Sequence, residues 1–351
     1  MSTEIKKVIV TGITGQDGSY MVDYLLENTN HEIYGVVRRT STLNTINISQ
    51  FLDNPRFHLF TGDLSDSQAI DNLVREIVPD YFINLAAQSF VGSSWQIPEQ
   101  TFDVGAMGVL RCLEAVRKHA PNCRFYNAGS SEELGNVDYS PQNEKHPLKP
   151  RSPYGAAKAA ARHLVKVYRE SYNLYAIQGL LYNHESERRG EEFVTRKITK
   201  AVGRIRNSLN NNLPYLPLEL GNLDAKRDWS HAQDFVDGIW KMLNQEQPRE
   251  YILSSGETHT VREFVERSLE IAGIKGEWTN EGVNETYIYG DAVLVKINPV
   301  FYRPAEVDLL WGDSTEARIN LGWLPQNTFT DLVNRMVKND INSILLENGL
   351  K

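Results

Sequence analysis

The feature that most limits what this chain can fold into is a short apolar run that leads directly into three spaced glycines. Lys7–Thr11 is rich in β-branched residues, which favours a strand. Gly12, Gly15 and Gly18 follow at once, and residues 19–27 then carry apolar side chains at helical spacing. A strand, a glycine loop and a helix in this order predict a dinucleotide-binding turn, where the backbone approaches a pyrophosphate closely. The alternative, glycines that serve turn geometry alone, is disfavoured by their position after a strand.

The alternation of strands and helices continues along the first half of the chain. Further strands are predicted at Glu32–Val37, Phe57–Thr61, residues 81–85 and Arg124–Ala128, with helices at Ser67–Ile77 and residues 105–119. Such repeats predict an α/β protein built on a Rossmann doubly wound parallel sheet. We expect residues 1–182 to form this cofactor-binding domain, with a later stretch at about 226–255 returning to it.

The remaining residues, 183–351, are expected to form mainly a smaller mixed α/β carboxy-terminal domain that binds the substrate. Strand–helix regularity weakens after Tyr182. Residues 193–206 have the pattern of a basic amphipathic helix, and residues 207–217 are rich in Asn and Pro, which is typical of an exposed connection.

Charge and cysteine content exclude several classes of protein. The formal net charge is −8, so a nucleic-acid backbone would be repelled on average and an anionic ligand needs a local basic cluster. We expect no membrane partner, because no secretion signal or bilayer-length apolar stretch is found. The two cysteines, Cys112 and Cys123, have neither metal-ligand spacing nor the number a disulfide framework needs, so we expect no metal and a cytoplasmic location.

The second strand ends in basic rather than acidic residues. NAD-specific proteins usually place a carboxylate there, on the ribose hydroxyls, whereas this chain has Arg38 and Arg39. Guanidinium groups suit a 2′-phosphate, so NADP is the expected cofactor, and a solvated basic loop is the less favoured alternative. Further cofactor contacts are expected after the third and fourth strands, at Asp63, Leu64, Ala86, Ala87 and Gln88.

A tyrosine and a lysine four residues apart follow the fifth strand. A helix that begins near Pro153 would present Tyr154 and Lys158 on one face. A neighbouring ammonium and a cationic nicotinamide both favour a phenolate, which can accept a proton from a sugar hydroxyl. Such a pair is often structural in an arbitrary helix, but its position in a Rossmann chain favours catalysis.

The fifth predicted strand is followed by a serine and two glutamates. Ser130 can share a substrate hydroxyl with the tyrosine, and a carboxylate from Glu132 or Glu133 can move a proton on the adjacent carbon. The alternative for the two glutamates is a solvated acidic loop, which we expect to hold for at least one of them.

Longer runs of sequence resemble a known family. Besides the glycines, Ser130, Tyr154 and Lys158, which are typical of extended short-chain dehydrogenases/reductases, six runs are similar to GDP-mannose 4,6-dehydratases. They include Thr-Gly-Ile-Thr-Gly-Gln-Asp-Gly-Ser-Tyr at residues 11–20 and Asn-His-Glu-Ser-Glu-Arg-Arg-Gly-Glu-Glu-Phe-Val-Thr-Arg-Lys-Ile at residues 183–198. The others lie at residues 37–41, 84–89, 221–229 and 302–310, so the resemblance covers nearly the whole chain.

The resemblance implies a GDP-hexose dehydratase with tightly bound NADP. It adds Thr14, Gln16, Asp17, Leu85, His184 and Arg189 to the cofactor contacts. It implies a substrate site formed by Ser89, Ser130, Asn183, Val194, Lys197, Leu220, Asn222, Arg227, Arg303 and Glu306. Tyr154 would deprotonate the C4 hydroxyl while hydride leaves C4, and Glu132 would remove the C5 proton and assist loss of the C6 hydroxyl. The implied assembly is a homodimer or homotetramer formed through Rossmann-domain helices and the Arg38/Arg39 loop.

The chain departs from the family pattern at two places, and these leave alternatives open. Ser130 replaces a usual threonine and keeps its hydroxyl, whereas Glu133 and Leu134 replace a usual apolar–aromatic pair. The extra carboxylate is expected to raise the pKa of one glutamate by like-charge repulsion, or to reflect a changed environment at C6.

The substrate is therefore GDP-mannose or a GDP-manno-heptose, with residues 89–95 as the segment that could accommodate the difference. The rival activities are those of an epimerase, a reductase or a C4 dehydrogenase on the same scaffold. A non-catalytic nucleotide sensor is the rival from another class.

Overall fold

A seven-stranded sheet lies at the centre of this computed structural model, which describes residues 4–42, 44–135, 137–302, 307 and 309–347. The strands are β1 (Lys7–Thr11), β2 (Glu32–Val37), β3 (Phe57–Thr61), β4 (Tyr81–Asn84), β5 (Arg124–Ala128), β6 (Ala176–Leu181), β7 (Asn183–Glu185), β8 (Leu218–Leu220), β9 (Lys226–Arg227), β10 (Trp229–His231), β11 (Ile252–Leu253), β12 (His259–Thr260), β13 (Glu277–Thr279), β14 (Thr286–Tyr289), β15 (Ala292–Ile297) and β16 (Leu309–Leu310). The helices are α1 (Gln16–Asn28), α2 (Ser67–Ile77), α3 (Val91–Ser94), α4 (Pro98–Phe102), α5 (Gly108–His119), α6 (Pro153–Tyr172), α7 (Val194–Asn211), α8 (Ala232–Leu243), α9 (Val261–Ile271), α10 (Thr315–Leu321) and α11 (Phe329–Glu347).

The central sheet is parallel and doubly wound. Its strand order is β11-β6-β5-β4-β1-β2-β3, and every neighbouring pair runs in the same direction. Alternate side chains of each strand face opposite layers. Val8 and Val10 of β1 pack against α1 and α8, whereas Ile9 packs in the layer that contains α2, α5 and α6. Ligands of such sheets bind outside the carboxyl ends of the strands, where the strand order reverses, which is here between β1 and β4.

The carboxy-terminal elements form a second apolar core. β13, β14, β15 and β8 form a mixed four-stranded sheet, whose buried side chains pack in one cluster with those of α7, α9 and α11. Two small sheets, β12-β9-β16 and β10-β7, lie along the same part of the chain. β11 lies within the stretch predicted to return to the first sheet and pairs with β6 there. The division of the chain into domains at residue 182 stays a prediction.

The structure confirms the predicted fold class, with differences at the ends of three elements. β4 ends at Asn84, one residue early, and a π-helical turn at Asp103–Met107 precedes α5. α7 continues to Asn211, so the expected connection at residues 207–217 is wrong over its first part. Leu209 continues the apolar face of this helix, and the helix ends only where Asn212 adopts a left-handed backbone (φ 51°). No helix in the described ranges has both the length and the apolarity to cross a bilayer.

Candidate active site

A cavity of about 710 Å³ opens at the carboxyl ends of the central strands. One wall follows β4, β5 and β6, and the opposite wall is formed by α7 and by the segments around β8 and β9. Many of the residues predicted for the site line this cavity: Asp17, Leu85, Ala87, Ser89, Ser130, Glu132, Tyr154, Lys158, Asn183, His184, Arg189, Val194, Lys197, Leu220, Asn222 and Arg227. Arg303 and Glu306, which were predicted for the nucleotide end, lie outside the described residues.

The glycine loop is packed too closely to accept side chains. Gly12 has a φ of 69°, and a Cβ atom there would lie 2.7 Å from the backbone nitrogen of Ala86. A Cβ atom on Gly18 would lie 2.3 Å from the carbonyl oxygen of Gly12. The loop therefore brings the amino terminus of α1 to the sheet edge, where backbone N–H groups and the helix dipole favour a phosphate.

Asp17, in the first turn of α1, pairs with a histidine of β7. The carboxylate of Asp17 lies 2.8 Å from Nε2 of His184, and Nδ1 of the ring lies 2.7 Å from the carbonyl oxygen of Tyr182. Burial opposes charge on both groups, but the ion pair outweighs it, so the pKa of Asp17 falls to about 2 and the pKa of His184 is raised. The pair lines the cavity as a fixed, charged feature.

Tyr154 and Lys158 lie on the face of α6 that meets the cavity. The helix begins as predicted, because the Ser152 side chain accepts a hydrogen bond from the Gly155 N–H and Pro153 occupies the first turn. Lys158 Nζ donates to the carbonyl oxygen of Ala128 (2.6 Å) and lies 5.8 Å from the ring centroid of Tyr154. The tyrosine thus faces the cavity and is not packed into an apolar core.

Burial governs the acidity of this pair. It lowers the pKa of Lys158 to about 8, while Glu133 and Asp17 oppose the fall. Burial also raises the pKa of Tyr154 well above its usual value, and a hydrogen bond with Ser130 opposes that rise. Burial thus disfavours the Tyr154 phenolate, and positive charge close to the phenol oxygen would favour it.

The two glutamates after β5 have different environments, and neither lies in a solvated loop as was expected for at least one of them. Glu132 is 8% exposed and lines the cavity, whereas Glu133 is fully buried beside it. Oε1 of Glu133 accepts hydrogen bonds from the Ser130 N–H (2.8 Å) and from Nε2 of Gln178 (2.8 Å). The pKa of Glu133 is raised to about 7, and the largest cause is burial, not the like-charge repulsion that the sequence suggested.

The far end of the cavity is basic. Lys197 Nζ lies 3.6 Å from the ring centroid of Phe301, and burial lowers the pKa of this lysine, with Glu219 opposing. Arg227 is 8% exposed and faces the same space. A diphosphate in a protein of net charge −8 needs such a local cluster.

The other predicted cofactor residues do not line this cavity; they are Gly12, Thr14, Gly15, Gln16, Gly18, Arg38, Arg39, Asp63, Leu64, Ala86 and Gln88. Arg38 and Arg39 are exposed at the end of β2. Arg38 also helps to lower the pKa of Asp63, which burial would raise and Ser65 lowers by hydrogen bonding. The Leu64 side chain packs in the core, and Gln88 Nε2 donates to the Phe90 carbonyl (3.0 Å), so this side chain anchors its own loop.

Sequence reasoning missed an aromatic group in the cavity wall. Arg189 stacks on Phe193 with 3.5 Å between its guanidinium carbon and the ring centroid, and the Phe193 and Phe90 rings meet at 5.4 Å. Arg189 also forms an ion pair with Glu185, with 3.0 Å between Nε of the arginine and Oε2 of the glutamate. Phe193 lies within the family-like run at residues 183–198, and that run was the available signal.

Fold and site together define a Rossmann-fold enzyme of the short-chain dehydrogenase/reductase class. A sequence profile of the family described as GDP-mannose 4,6 dehydratase matches residues 9–336. A GDP-mannose 4,6 dehydratase of Drosophila melanogaster is 45% identical, and the alignment covers 96% of this chain and 86% of the relative. A GDP-mannose 4,6-dehydratase of Yersinia enterocolitica is 44% identical, with coverage of 96% and 94%. The chain belongs to the GDP-mannose 4,6-dehydratase family.

Solved structures agree with the fold. A dTDP-glucose 4,6-dehydratase from Bacillus anthracis in complex with NAD has a TM-score of 0.80 at 21% identity, with coverage of 99% of this chain and 100% of that chain. A UDP-glucose 4-epimerase from Thermotoga maritima with UDP-glucose has a TM-score of 0.81 at 22% identity, with coverage of 96% and 99%. At these identities the likeness shows the shared architecture alone.

Proposed function

We propose that this chain is an NADP-dependent GDP-sugar 4,6-dehydratase that converts GDP-mannose to the 4-keto-6-deoxy sugar and water. The observation that carries the proposal is the convergence of Ser130, Glu132, Tyr154 and Lys158 on one cavity, in a chain of this family. The cavity volume of about 710 Å³ is within the range of small-molecule sites, and the far end of the cavity carries the positive charge that a diphosphate requires.

The glycine loop and the segments that follow β2 and β3 are suited to bind NADP. A Cβ atom would clash at Gly12 and Gly18, which is the close packing a pyrophosphate cradle needs. Arg38 and Arg39 would hold the 2′-phosphate, with Asp63 and Leu64 beside the adenine. When bound, NADP would supply the hydride acceptor for C4 and the hydride donor for C6, with no net consumption.

The chain's own residues supply the proton transfers. Tyr154 takes the proton of the C4 hydroxyl, and the Ser130 hydroxyl orients that oxygen. The Lys158 ammonium stabilises the phenolate electrostatically. Glu132 then removes the C5 proton, which the neighbouring ketone has made acidic, and delivers a proton to the departing C6 hydroxyl. After hydride has returned to C6, Tyr154 gives the proton that it took from the C4 hydroxyl to C5, so the sum of these steps is loss of one water from the sugar.

We assign the basic end of the cavity to the GDP group of the substrate, from its charge and from the position of its residues. Lys197 and Arg227 bind the diphosphate, and Asn183, Val194, Leu220 and Asn222 line the space around it. Arg303 and Glu306 complete this group by the family resemblance. Ser89 and the segment that follows it lie on the wall of the same cavity, so they are placed to contact the sugar.

Product masses after incubation with GDP-mannose and, separately, with a GDP-manno-heptose test both the reaction and the sugar. A product one water lighter from GDP-mannose supports the proposal, and the same loss only from the heptose would change the substrate but keep the reaction. An unchanged mass with altered stereochemistry at C4 would identify an epimerase. A product two hydrogens lighter would identify a C4 dehydrogenase, and no turnover of either sugar would contradict the proposal.

We also propose that the enzyme is a cytoplasmic homodimer or homotetramer. Exposed apolar side chains lie around a groove between α4, the π-helical turn and α6, among them Phe102 and Met107, which are 43% and 39% exposed. Farther along α6, Val167 and Tyr172 are also exposed. Light scattering behind size exclusion tests this: wild type should be at least dimeric, and Met107→Glu should lower the mass. A monomeric wild type would contradict it.

A further inference from the structure

A row of buried polar side chains crosses the central sheet beneath the cavity. Thr11, Asn84, Asn127 and Gln178 are register partners on β1, β4, β5 and β6. Their exposures are between 0% and 2%. Four uncharged polar side chains at adjacent register positions are unusual in a buried sheet, because each costs free energy unless its hydrogen bonds are made.

The hydrogen bonds of this row run in one direction. The Thr11 hydroxyl donates to Asn84 (2.5 Å), the Asn84 amide donates to Asn127 (2.7 Å), and the Asn127 amide donates to Gln178 (2.6 Å). Gln178 Nε2 then donates to Oε1 of Glu133 (2.8 Å). The row therefore ends on an acceptor, and its aligned dipoles favour negative charge at that end.

Glu133 also holds the catalytic serine. Its Oε1 accepts the Ser130 N–H while the Ser130 side chain accepts the N–H of Glu132, which fixes the turn that starts the catalytic loop. The second oxygen, Oε2, is buried and has no hydrogen-bond partner among the described residues. A buried carboxylate oxygen without such a partner relies on nearby positive charge.

Two cations on α6 act on this carboxylate, Lys158 and Arg162. Arg162 is already committed, because it forms an ion pair with Glu250 (2.9 Å) and donates to the Glu144 carbonyl (3.1 Å). The Lys158 ammonium forms no ion pair within 4.0 Å among the described residues, and its one hydrogen bond there is to the carbonyl oxygen of Ala128. Glu133 and Asp17 are the carboxylates that act on this lysine over longer distance.

The remaining groups that face the carboxylate are phenols. Tyr126 of β5 and Tyr154 of α6 both feel its negative charge, which disfavours their ionisation. At Tyr154 this influence is smaller than those of burial, Ser130, Glu132 and Arg189. The main electrostatic effect of Glu133 on the catalytic pair therefore passes through the lysine.

We propose that Glu133 is a positioning residue for the reaction: its carboxylate keeps the Lys158 ammonium charged and fixes Ser130, so that Tyr154 can release its phenolic proton near neutral pH. The proposal rests on the dehydratase function proposed above. It assigns the second glutamate after β5 a role that does not require contact with the sugar.

The variant Glu133→Gln separates charge from shape. A Gln side chain keeps an oxygen for the Ser130 N–H and for Gln178 but removes the negative charge. The pH at which the rate declines on the alkaline side should fall by about one unit, because an opposite charge nearby shifts a pKa by roughly 1–3 units. The KM for GDP-mannose should stay unchanged. Glu144→Gln, at a carboxylate that accepts the Ile252 N–H away from the cavity, is the matched control and should keep the wild-type profile.

A direct titration of the lysine decides the proposal independently of turnover. In protein labelled with ¹³C at the lysine ε-carbon, the resonance missing from Lys158→Arg belongs to Lys158. Its midpoint should lie near pH 8 in wild type and about one unit lower in Glu133→Gln. Equal midpoints, or equal alkaline limbs, would overturn the proposal.

Should Glu133→Gln fail to fold, the wild-type resonance still decides. Two inflections in the pH titration of the Lys158 ε-carbon resonance, one near pH 7 from Glu133 and one near pH 8 from Lys158 itself, support the coupling of the two groups. A single inflection above pH 9 overturns it. If wild type dehydrates no GDP-sugar, the proposed function fails, while this titration still reports whether Glu133 sets the charge of Lys158.

Discussion

Asp17 and His184 form an ion pair of 2.8 Å that joins the first turn of α1 to β7, although the two residues are far apart in the sequence. The ring is also stacked on Phe235, with 4.4 Å between centroids. Both partners of the pair line the cavity that contains Tyr154 and Glu132. The ion pair thus fixes β7 to the start of α1, and the stacked ring packs β7 against α8.

Removal of the imidazole should therefore destabilise the fold in a pH-dependent manner. His184→Gln leaves the Asp17 carboxylate buried with a weaker partner, and we expect a loss of about 3 kcal/mol in the free energy of unfolding. The pKa of Asp17 is lowered from 3.8 to about 2 and that of His184 is raised from 6.5. Both contributions are therefore complete between about pH 4 and 6.5, and the loss should shrink as pH rises through the folded pKa of His184.

Urea denaturation at pH 5 and pH 9 measures this effect. Asp17→Asn/His184→Gln is the matched double variant, and it should recover part of the lost stability because the uncompensated carboxylate is gone. An equal loss at both pH values would show that packing on Phe235, and not the ion pair, is what His184 contributes.

Substitutions at the basic end of the cavity should affect the substrate and not the cofactor. We expect Lys197→Gln and Arg227→Gln each to raise the KM for GDP-mannose about 10- to 100-fold, because a charged hydrogen bond to phosphate contributes roughly 1.5–3 kcal/mol. NADP content after purification should be unchanged. Steady-state kinetics and the absorbance of the released cofactor measure the two quantities. Lys296→Gln, which removes a surface partner of Glu219, is the control and should leave KM near the wild-type value.

Variants of Tyr154 and Glu132 should separate the oxidation at C4 from the elimination of water across C5 and C6. Tyr154→Phe should lower kcat by about 10²- to 10⁴-fold, the usual contribution of a general base, since C4 oxidation cannot start. Glu132→Gln should still reduce the bound cofactor with GDP-mannose, visible as nicotinamide absorbance, but release no dehydrated sugar. A Glu132→Gln enzyme with wild-type product formation would exclude this residue from the C5–C6 step.

The buried charge of Glu133 has an energetic consequence of its own. Its pKa is raised from 4.5 to about 7, so its favourable contribution is complete below pH 4.5 and is lost as pH rises towards 7. Glu133→Gln should gain stability relative to wild type over this range, by at most about 3 kcal/mol. Melting temperatures of the two proteins at pH 5 and pH 7.5 provide the comparison, and a constant difference would contradict the buried charge.

Local sequence patterns were sufficient for the fold class and for a few residues of the site, whereas the family resemblance supplied most of the other residues that line the cavity. The strand, the glycine loop and the helix near Gly12 predicted the sheet, and the spacing of Tyr154 and Lys158 on one helix placed both at the cavity, as the structure shows. These features depend on short stretches of chain, where periodicity and capping determine the local structure.

Features that depend on tertiary packing could not be predicted in this way. The sequence shows Glu132 and Glu133 side by side, and nothing local tells which one the turn directs into the cavity. The partner of Glu133 is Gln178, and the register of β5 with β6 brings the two together. The extent of α7 depended likewise on Leu209, whose packing partners lie in distant elements.

The most direct test of the central claim follows a label through the reaction. GDP-mannose that carries deuterium at C4 should give a product one water lighter with the deuterium at C6, and a reaction in D₂O should place one solvent deuterium at C5. That outcome requires hydride transfer from C4 to C6 together with removal of the original C5 proton and re-protonation at C5. Deuterium that remains at C4, or is lost from the product without dehydration, would contradict the dehydratase assignment.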